Sequence, residues 1–217
     1  MTEGLADKFD RPTERHNTLY KSWSNGGTGL HITGNVMVDR RYLERAGNVV
    51  LEDDKDLPLF VAWAKAGTSA GNQLWVQLNH PGRQCPKIVN KQPLSPSDIH
   101  LDLLGNFGKP KAMTEDDIQN VIRRFTRSAA LVKKAGFTGL QIHCAHGYLF
   151  SQFLSPKINR RTDQWGGSLE NRARIIRQTI KSVRNEVGAD FPIAVKLNSA
   201  DFQKGGFSLE DCVTVAG

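Results

Sequence analysis

The stretch Gly139-Leu-Gln-Ile-His-Cys-Ala-His-Gly-Tyr148 predicts a buried strand that ends in a cluster of polar side chains. Leu140 to Ile142 is a short apolar run, which is typical of a strand inside a parallel sheet. His143, His146 and Tyr148 follow this run directly. Since the catalytic residues of an α/β barrel lie at the C-terminal ends of its strands, the sequence places candidate chemistry at this strand end.

Strand and helix patterns alternate along the whole chain. Besides the strand at 139–143, three segments have the composition of buried strands, at 29–36, 73–78 and 192–198. Amphipathic or well-capped helices are predicted from Pro12, Pro58, Thr114, Ser168 and Ser208 onward. This alternation predicts an α/β fold with a parallel sheet. Because no repeat, linker or low-complexity segment interrupts it, we expect residues 1–217 to form one domain.

The composition is that of a soluble globular protein. Of the 217 residues, 39% are hydrophobic and 24% charged, and no apolar run approaches the length of a membrane helix. The N-terminus lacks the features of a signal peptide, so we expect a cytoplasmic protein with no membrane partner. The three cysteines, Cys85, Cys144 and Cys212, contain no CxxC pair, which argues against a disulfide scaffold or structural zinc.

The net charge of +7 comes mainly from scattered Lys and Arg. The densest basic region, 157–184, is interpreted as a solvated helix face rather than a ligand-binding patch. No nucleic-acid-binding motif accompanies the charge, so no nucleic-acid partner is expected. The long Pro-, Gly- and Ser-rich segment 79–113 is expected to be functional, and its His80 and Arg83 either line the site or only cap it.

The spacing of the polar residues at the strand end suggests a mechanism. If the backbone turns there from strand to helix, His143, His146 and Tyr148 can converge on one substrate oxygen. Two imidazole groups would polarise that oxygen, and the phenol would act as an acid. Cys144 is expected to point the other way, into the core.

Two motifs resemble the Old Yellow Enzyme family of flavin-dependent oxidoreductases. They are Trp75-Val-Gln-Leu-Asn-His-Pro-Gly-Arg83, similar to the third-strand motif of that family, and the block from His143-Cys-Ala-His-Gly-Tyr148 to Arg172. The resemblance implies a (β/α)8 TIM barrel, present here only in part as roughly strands 2 to 5. It also implies FMN as a non-covalent cofactor, NAD(P)H as hydride source, and reduction of the activated C=C bond of a small electrophilic alkene.

The same resemblance implies roles for individual residues. His143 and His146 would bind the substrate carbonyl or nitro oxygen, and Tyr148 would supply the proton at the α-carbon. The implied flavin contacts are Gln77 at the pyrimidine edge, Thr2 after the first strand, Gly34 against the ring and Lys196 beside N1 and C2=O. The family commonly has Arg at the position of Lys196, and Lys keeps the charge but loses the planar fork. A strand-end lysine without a ligand is the alternative.

The chain also departs from the family pattern. The late strands that would bind the FMN phosphate are absent, as is most of the first strand, so Met1 is expected near a missing strand. We therefore expect an incomplete FMN-binding barrel domain over 1–217, weak FMN binding and aggregation. The oligomeric state of a full-length protein is left open. A catalytically inactive half-barrel that acts as a binding module is the main alternative. A metal-dependent hydrolase with His143 and His146 as ligands is a third, although nearby carboxylate ligands are missing.

Overall fold

Five parallel strands form the centre of the fold in the order β2-β1-β3-β6-β7. The computed structural model describes residues 2–217. The central strands are β1 (Leu30–Met37), β2 (Val49–Val50), β3 (Gln73–Asn79), β6 (Gly139–Cys144) and β7 (Ile193–Leu197). Two short strands, β4 (Leu94–Ser95) and β5 (Lys111–Ala112), pair with each other outside this sheet. All four predicted strands are confirmed, and their ends shift by one or two residues.

Helices connect the central strands and cover one face of the sheet. They are α1 (Glu14–Asn25), α2 (Leu57–Gly67), α3 (Glu115–Lys134), α4 (Leu149–Leu154), α5 (Leu169–Val187) and α6 (Leu209–Ala216). The predicted capping pattern at Thr114 is a capping box, in which the Thr114 hydroxyl accepts from the Asp117 N–H and the Asp117 carboxylate accepts from the Thr114 N–H. Such a box satisfies amides that have no partner inside the helix. None of the described helices is long and apolar enough to cross a membrane.

The two faces of the sheet differ in polarity. Leu74, Val76 and Leu78 of β3, like Leu140 and Ile142 of β6, are completely buried in the hydrophobic core. The residues between them are polar, because successive side chains of a strand point to opposite faces. Strand register aligns Asn35 with Gln77 and Gln77 with Gln141, and it aligns His143 with Lys196 two residues further along. The polar face therefore carries two rows of functional groups.

The structure corrects two sequence predictions and shortens a helix. The segment from Val36 to Asp56, predicted to be a polar connection, contains strand β2, since Val49 and Val50 pair in parallel with β1. The basic residues of 157–184 do not all lie on a solvated face. Arg161 and Arg172 expose only 12% and 10% of their side chains, because their guanidinium groups hydrogen-bond to backbone carbonyls of neighbouring loops. Helix α2 ends at Gly67 rather than near Gly71.

Candidate active site

His143 is a buried, neutral hydrogen-bond donor near the end of β6. Its Nδ1 accepts a hydrogen bond of 3.2 Å from the backbone N–H of Ala145. The proton of the neutral ring is therefore on Nε2, and that atom has no hydrogen-bond partner among the described residues. Burial lowers the pKa of His143 to about 3, and the nearby His146 and Lys196 lower it further. An uncharged N–H at this strand end is thus available to a ligand oxygen.

His146 reaches the same place through a left-handed turn. Its φ is 59°, and Gly147 follows with a φ of 73°. The His146 N–H donates to Oδ1 of Asn198 at 2.9 Å, and its carbonyl accepts from the Gln84 side chain at 2.8 Å. These bonds stabilise a backbone conformation that non-glycine residues seldom adopt. The ring centroid lies 5.0 Å from that of His143, and burial lowers the pKa of His146.

Tyr148 completes the cluster from the N-cap position of α4. Its ring centroid lies 4.9 Å from that of His143 and 6.5 Å from that of His146. Its hydroxyl donates to Oε2 of Glu44 at 3.0 Å. Burial raises the pKa of the phenol well above its ordinary value, and the charge of Glu44 raises it further. Tyr148 is therefore a protonated phenol beside two neutral imidazoles, so the three residues that the sequence predicted to converge do so.

Gln77 and Lys196 lie on the polar face next to this cluster. Gln77 is buried, and its amide nitrogen donates to Oδ1 of Asn35 at 2.6 Å. Lys196 is the register partner of His143 on the neighbouring strand β7, so the two side chains project from the same face. The face thus carries an amide and an ammonium group on adjacent strands.

Thr2 and Gly34 meet where the N-terminal segment crosses β1. The Thr2 hydroxyl donates to Oε1 of Glu44 at 2.7 Å, and the Gly34 N–H donates to Oε1 of Glu3 at 2.7 Å. A Cβ atom at Gly34 would collide with the Glu3 carboxylate and lie 2.9 Å from Cα of Thr2. The missing side chain of Gly34 is therefore what admits residues 2 and 3 to the site.

The donor set of this face fits a flavin. The amide of Gln77, the hydroxyl of Thr2 and the ammonium of Lys196 match the mixed acceptors and donors on the polar edge of an isoalloxazine ring. The unpartnered Nε2 of His143 remains for a second ligand. By contrast, no group of three or more His, Cys, Asp or Glu side chains within residues 2–217 is arranged to hold a metal.

Gln152 joins the two motifs that carry the family resemblance. Its amide nitrogen donates to the carbonyls of Pro81 at 3.0 Å and Gly147 at 2.7 Å, and its oxygen accepts from the Arg83 N–H at 3.2 Å. Arg83 and His146 both line an adjoining cavity of about 450 Å³. His80 does not line it and packs against Tyr42 with ring centroids 4.6 Å apart. The segment that follows β3 is therefore held against the turn that carries His146.

The later part of the long motif is structural. Asn159 donates to the carbonyls of Phe153 and Trp165, both at 2.8 Å. Arg161 donates to the carbonyl of Met113 at 2.6 Å, and Arg172 to that of Leu154 at 2.7 Å. Since buried carbonyls need such donors, these side chains order the loops around α4 and do not reach the histidine cluster.

Sequence reasoning missed four residues that organise the site: Glu44, Asn35, Asn198 and Gln152. Glu44 lies in a loop without periodic pattern, and no local signal marks it. Asn198 and Asn35 occupy strand positions on the polar face, so the alternation of polar and apolar residues could have indicated them. Gln152 lies inside the quoted motif, where its amide could have been read as a link between loops.

Sequence comparison identifies the family. The sequence model of the NADH:flavin oxidoreductase / NADH oxidase family matches residues 1–216. The chain belongs to this family. It is 37% identical over 221 residues to the NADH-dependent flavin oxidoreductase iliE of Hypocrea jecorina (strain QM6a), a match that covers 93% of this chain and 55% of the relative. The Old Yellow Enzyme resemblance drawn from the motifs is thereby confirmed.

Solved structures of NADH:flavin oxidoreductases and their relatives have the same fold. A 2-naphthoyl-CoA reductase complexed with 2-naphthoyl-CoA matches all of this chain and 35% of its own, with a TM-score of 0.95 and 26% identity. An Old Yellow Enzyme homologue from Zymomonas mobilis matches 97% of this chain and 61% of its own, with a TM-score of 0.86 and 26% identity. These matches confirm the partial TIM barrel. The chain spans about half the length of the fungal relative and less than two thirds of either structure.

Proposed function

We propose that this chain carries the substrate-binding part of an FMN-dependent oxidoreductase that uses NAD(P)H to reduce activated C=C bonds. The single observation that carries the proposal is the buried Nε2 of His143. It is protonated, uncharged and without a partner, and it lies beside His146 and Tyr148. A carbonyl oxygen of an enone is the ligand that such a donor pair accepts.

In this proposal the residues divide the work. His143 and His146 bind the oxygen of the substrate and withdraw electron density from its alkene, which makes the β-carbon electrophilic. Tyr148 delivers its hydroxyl proton to the α-carbon after rotating away from Glu44. Gln77, Thr2 and Lys196 hold the flavin, and Gly34 keeps room beside it. FMN, when bound, supplies the hydride that it has received from NAD(P)H.

Family membership and the intact histidine–tyrosine cluster support an enzyme over an inactive binding module. The name of the fungal relative speaks for NADH as the nicotinamide cofactor, and the titles of the two structural neighbours speak for a small molecule as substrate. The expected weak FMN binding of this chain stays a prediction, which gel filtration with detection of flavin absorbance tests.

The enzyme is tested by incubating the purified chain with FMN, NADH and 2-cyclohexenone and measuring cyclohexanone. We expect product, and we expect His143→Ala and His146→Ala each to lower the rate by about 10²-fold or more, as removal of an oxyanion donor does. His100→Ala in the loop after β4 is the matched control and should leave the rate within twofold. Product formation that is equal in His143→Ala and the unsubstituted chain would refute the proposal.

A further inference from the structure

The carboxylate of Glu44 gathers three hydrogen-bond donors from different parts of the site. Oε1 accepts from the Thr2 hydroxyl at 2.7 Å, while Oε2 accepts from the Tyr148 hydroxyl at 3.0 Å and from the Asn35 amide. Thr2 belongs to the N-terminal segment, Asn35 to β1 and Tyr148 to the start of α4. A single half-buried side chain thus joins three separate elements of the site.

The loop that presents Glu44 is fixed by its own backbone. Oδ1 of the completely buried Asn48 accepts from the N–H groups of Glu44 at 2.9 Å and Arg45 at 3.0 Å. Strand β2 begins at the next residue, Val49, and pairs with β1. Because both sides of the turn are anchored, the position of Glu44 is built into the fold and does not depend on a flexible side chain.

The charge at this point has a direct effect on Tyr148. All three recorded donors are neutral groups, so the carboxylate accepts every bond and keeps its negative charge. The other titratable groups that face Tyr148 are the neutral His143 and His146, on which Lys196 acts from β7. A negative charge in contact with a phenol disfavours phenolate and therefore keeps the hydroxyl protonated.

Hydrogen bonds extend this contact to the predicted flavin residues. Gln77 donates to Asn35, Asn35 donates to Glu44, and Tyr148 donates to the same carboxylate. The Gln77 amide, predicted to bind the flavin, is thereby connected through two side chains to the proposed proton donor. Thr2, another predicted flavin contact, shares the carboxylate directly.

We propose that Glu44 is the positioning residue of Tyr148, orienting its hydroxyl and keeping it protonated between turnovers. This inference rests on the proposed function, in which Tyr148 transfers its proton to the α-carbon of the substrate. The resulting phenolate then lies against the Glu44 carboxylate, and repulsion between the two negative charges favours rapid uptake of a proton from water. The phenol and its hydrogen bond to Glu44 are restored, so that atoms and charge balance over the cycle.

The test measures ionisation of Tyr148 without cofactor or substrate. The phenolate absorbance of the chain is titrated against pH, and subtraction of the Tyr148→Phe curve isolates Tyr148 from the two other tyrosines. We expect Glu44→Gln to lower the ionisation midpoint of Tyr148 by about one to two pH units, since it removes the adjacent charge. Glu44→Asp, which keeps the charge, should titrate closer to the unsubstituted chain.

Glu186→Gln removes an exposed carboxylate from α5 and is the matched control, which should leave the titration unchanged. Far-ultraviolet circular dichroism checks that each variant folds. If Glu44→Gln does not fold, the comparison of Glu44→Asp with the unsubstituted chain decides, because a shorter acid that retracts from Tyr148 lowers the midpoint by a smaller amount. A Tyr148 midpoint that is the same in all folded Glu44 variants would overturn the inference.

The pH dependence of enone reduction separates this inference from the proposed function. With Glu44→Gln, the alkaline decline in rate should begin at lower pH, while the rate at neutral pH remains measurable. A chain that lacks enone reductase activity but shows the Tyr148 shift contradicts the proposed function and leaves the contact between Glu44 and Tyr148 supported. An active chain whose titration is insensitive to Glu44 has the opposite meaning.

Discussion

The backbone N–H of His146 donates a 2.9 Å hydrogen bond to Oδ1 of Asn198, the first residue after β7. The other end of the Asn198 amide donates to the Ser151 hydroxyl at 3.3 Å, and that hydroxyl also accepts from the Gly147 N–H. One side chain from the neighbouring β/α unit therefore sets the turn that aims His146. Neither partner is within fifty positions of the other in sequence.

Asn198→Ala should weaken substrate binding more than it weakens the fold. It leaves the His146 N–H without its acceptor, and His146 then loses its fixed position beside His143. We expect a loss of about 1–2 kcal/mol in the free energy of unfolding and a severalfold rise in KM for the enone. Asn198→Asp keeps the acceptor and should restore most of the KM, whereas the exposed Ser199→Ala is a control that should change neither. A KM unchanged in Asn198→Ala would contradict this account.

Stability should fall as the pH drops below about 6.5. Burial lowers the pKa of His143 to about 3 and that of His80 to about 4, from an ordinary 6.5. In the unfolded chain both rings take up a proton near 6.5, whereas in the folded chain they stay neutral, so stability present above that pH is lost toward 4. Each ring contributes a slope of up to about 1.4 kcal/mol per pH unit.

Urea unfolding at a series of pH values measures this slope. His143→Asn can accept the Ala145 N–H through its amide oxygen but does not titrate, so its stability should decline less steeply in the same range. His80→Asn should reduce the slope in the same way through Gly82, whose N–H now donates to the ring at 3.1 Å. Parallel slopes for both variants and the unsubstituted chain would show that neither buried ring is the cause.

Gln152→Ala should destabilise the chain by about 2–3 kcal/mol. The substitution removes two donors from the carbonyls of Pro81 and Gly147 and an acceptor from the Arg83 N–H, all in a buried place. Chemical denaturation measures the loss. Gln178→Ala on the exposed side of α5 is the matched control, and its effect should lie within about 0.5 kcal/mol. Equal stability of the two variants would mean that Gln152 does not join the loops.

Gly34→Ala should displace the N-terminal segment. The new methyl group occupies the space of the Glu3 carboxylate, which accepts from the Gly34 N–H and from the Tyr20 hydroxyl. We expect a loss of about 1–3 kcal/mol of stability and faster proteolysis before residue 10. At Gly29 a methyl group would meet no atom within 4 Å, so Gly29→Ala serves as the control. Unchanged proteolysis in Gly34→Ala would argue that residues 2 and 3 do not lie where they are described.

Lys196→Met should weaken FMN binding by about tenfold, a difference of about 1.4 kcal/mol, because the ammonium beside His143 is the cation proposed to face the flavin. Lys196→Arg retains the charge and should bind FMN nearly as well. Quenching of FMN fluorescence on titration with the chain measures the affinity, and the exposed Lys181→Met on α5 is the control. Equal affinities of Lys196→Met and Lys181→Met would assign Lys196 the alternative role of a strand-end lysine without a ligand.

Much of the fold follows from local sequence signals. The alternation at 73–79 and the capping box at Thr114 depend on neighbouring residues, and both were predicted correctly. Strand β2 was missed because two valines in a polar segment become a strand only when β1 supplies the hydrogen bonds. The basic region 157–184 was misjudged in part for the same reason, since the carbonyls that bury Arg172 belong to distant loops.

The sequence by itself determined the residues of the histidine–tyrosine cluster and their place at a strand end, because His143, His146 and Tyr148 are separated by short, fixed intervals of chain. The tertiary structure alone decided their chemical state and their support. The burial that keeps His143 neutral, the Asn198 bond that sets His146 and the Glu44 carboxylate on Tyr148 all come from segments 52 to 104 residues away or from the packed core. Charge, solvation and hydrogen bonding act through space, and a local pattern carries no information about them.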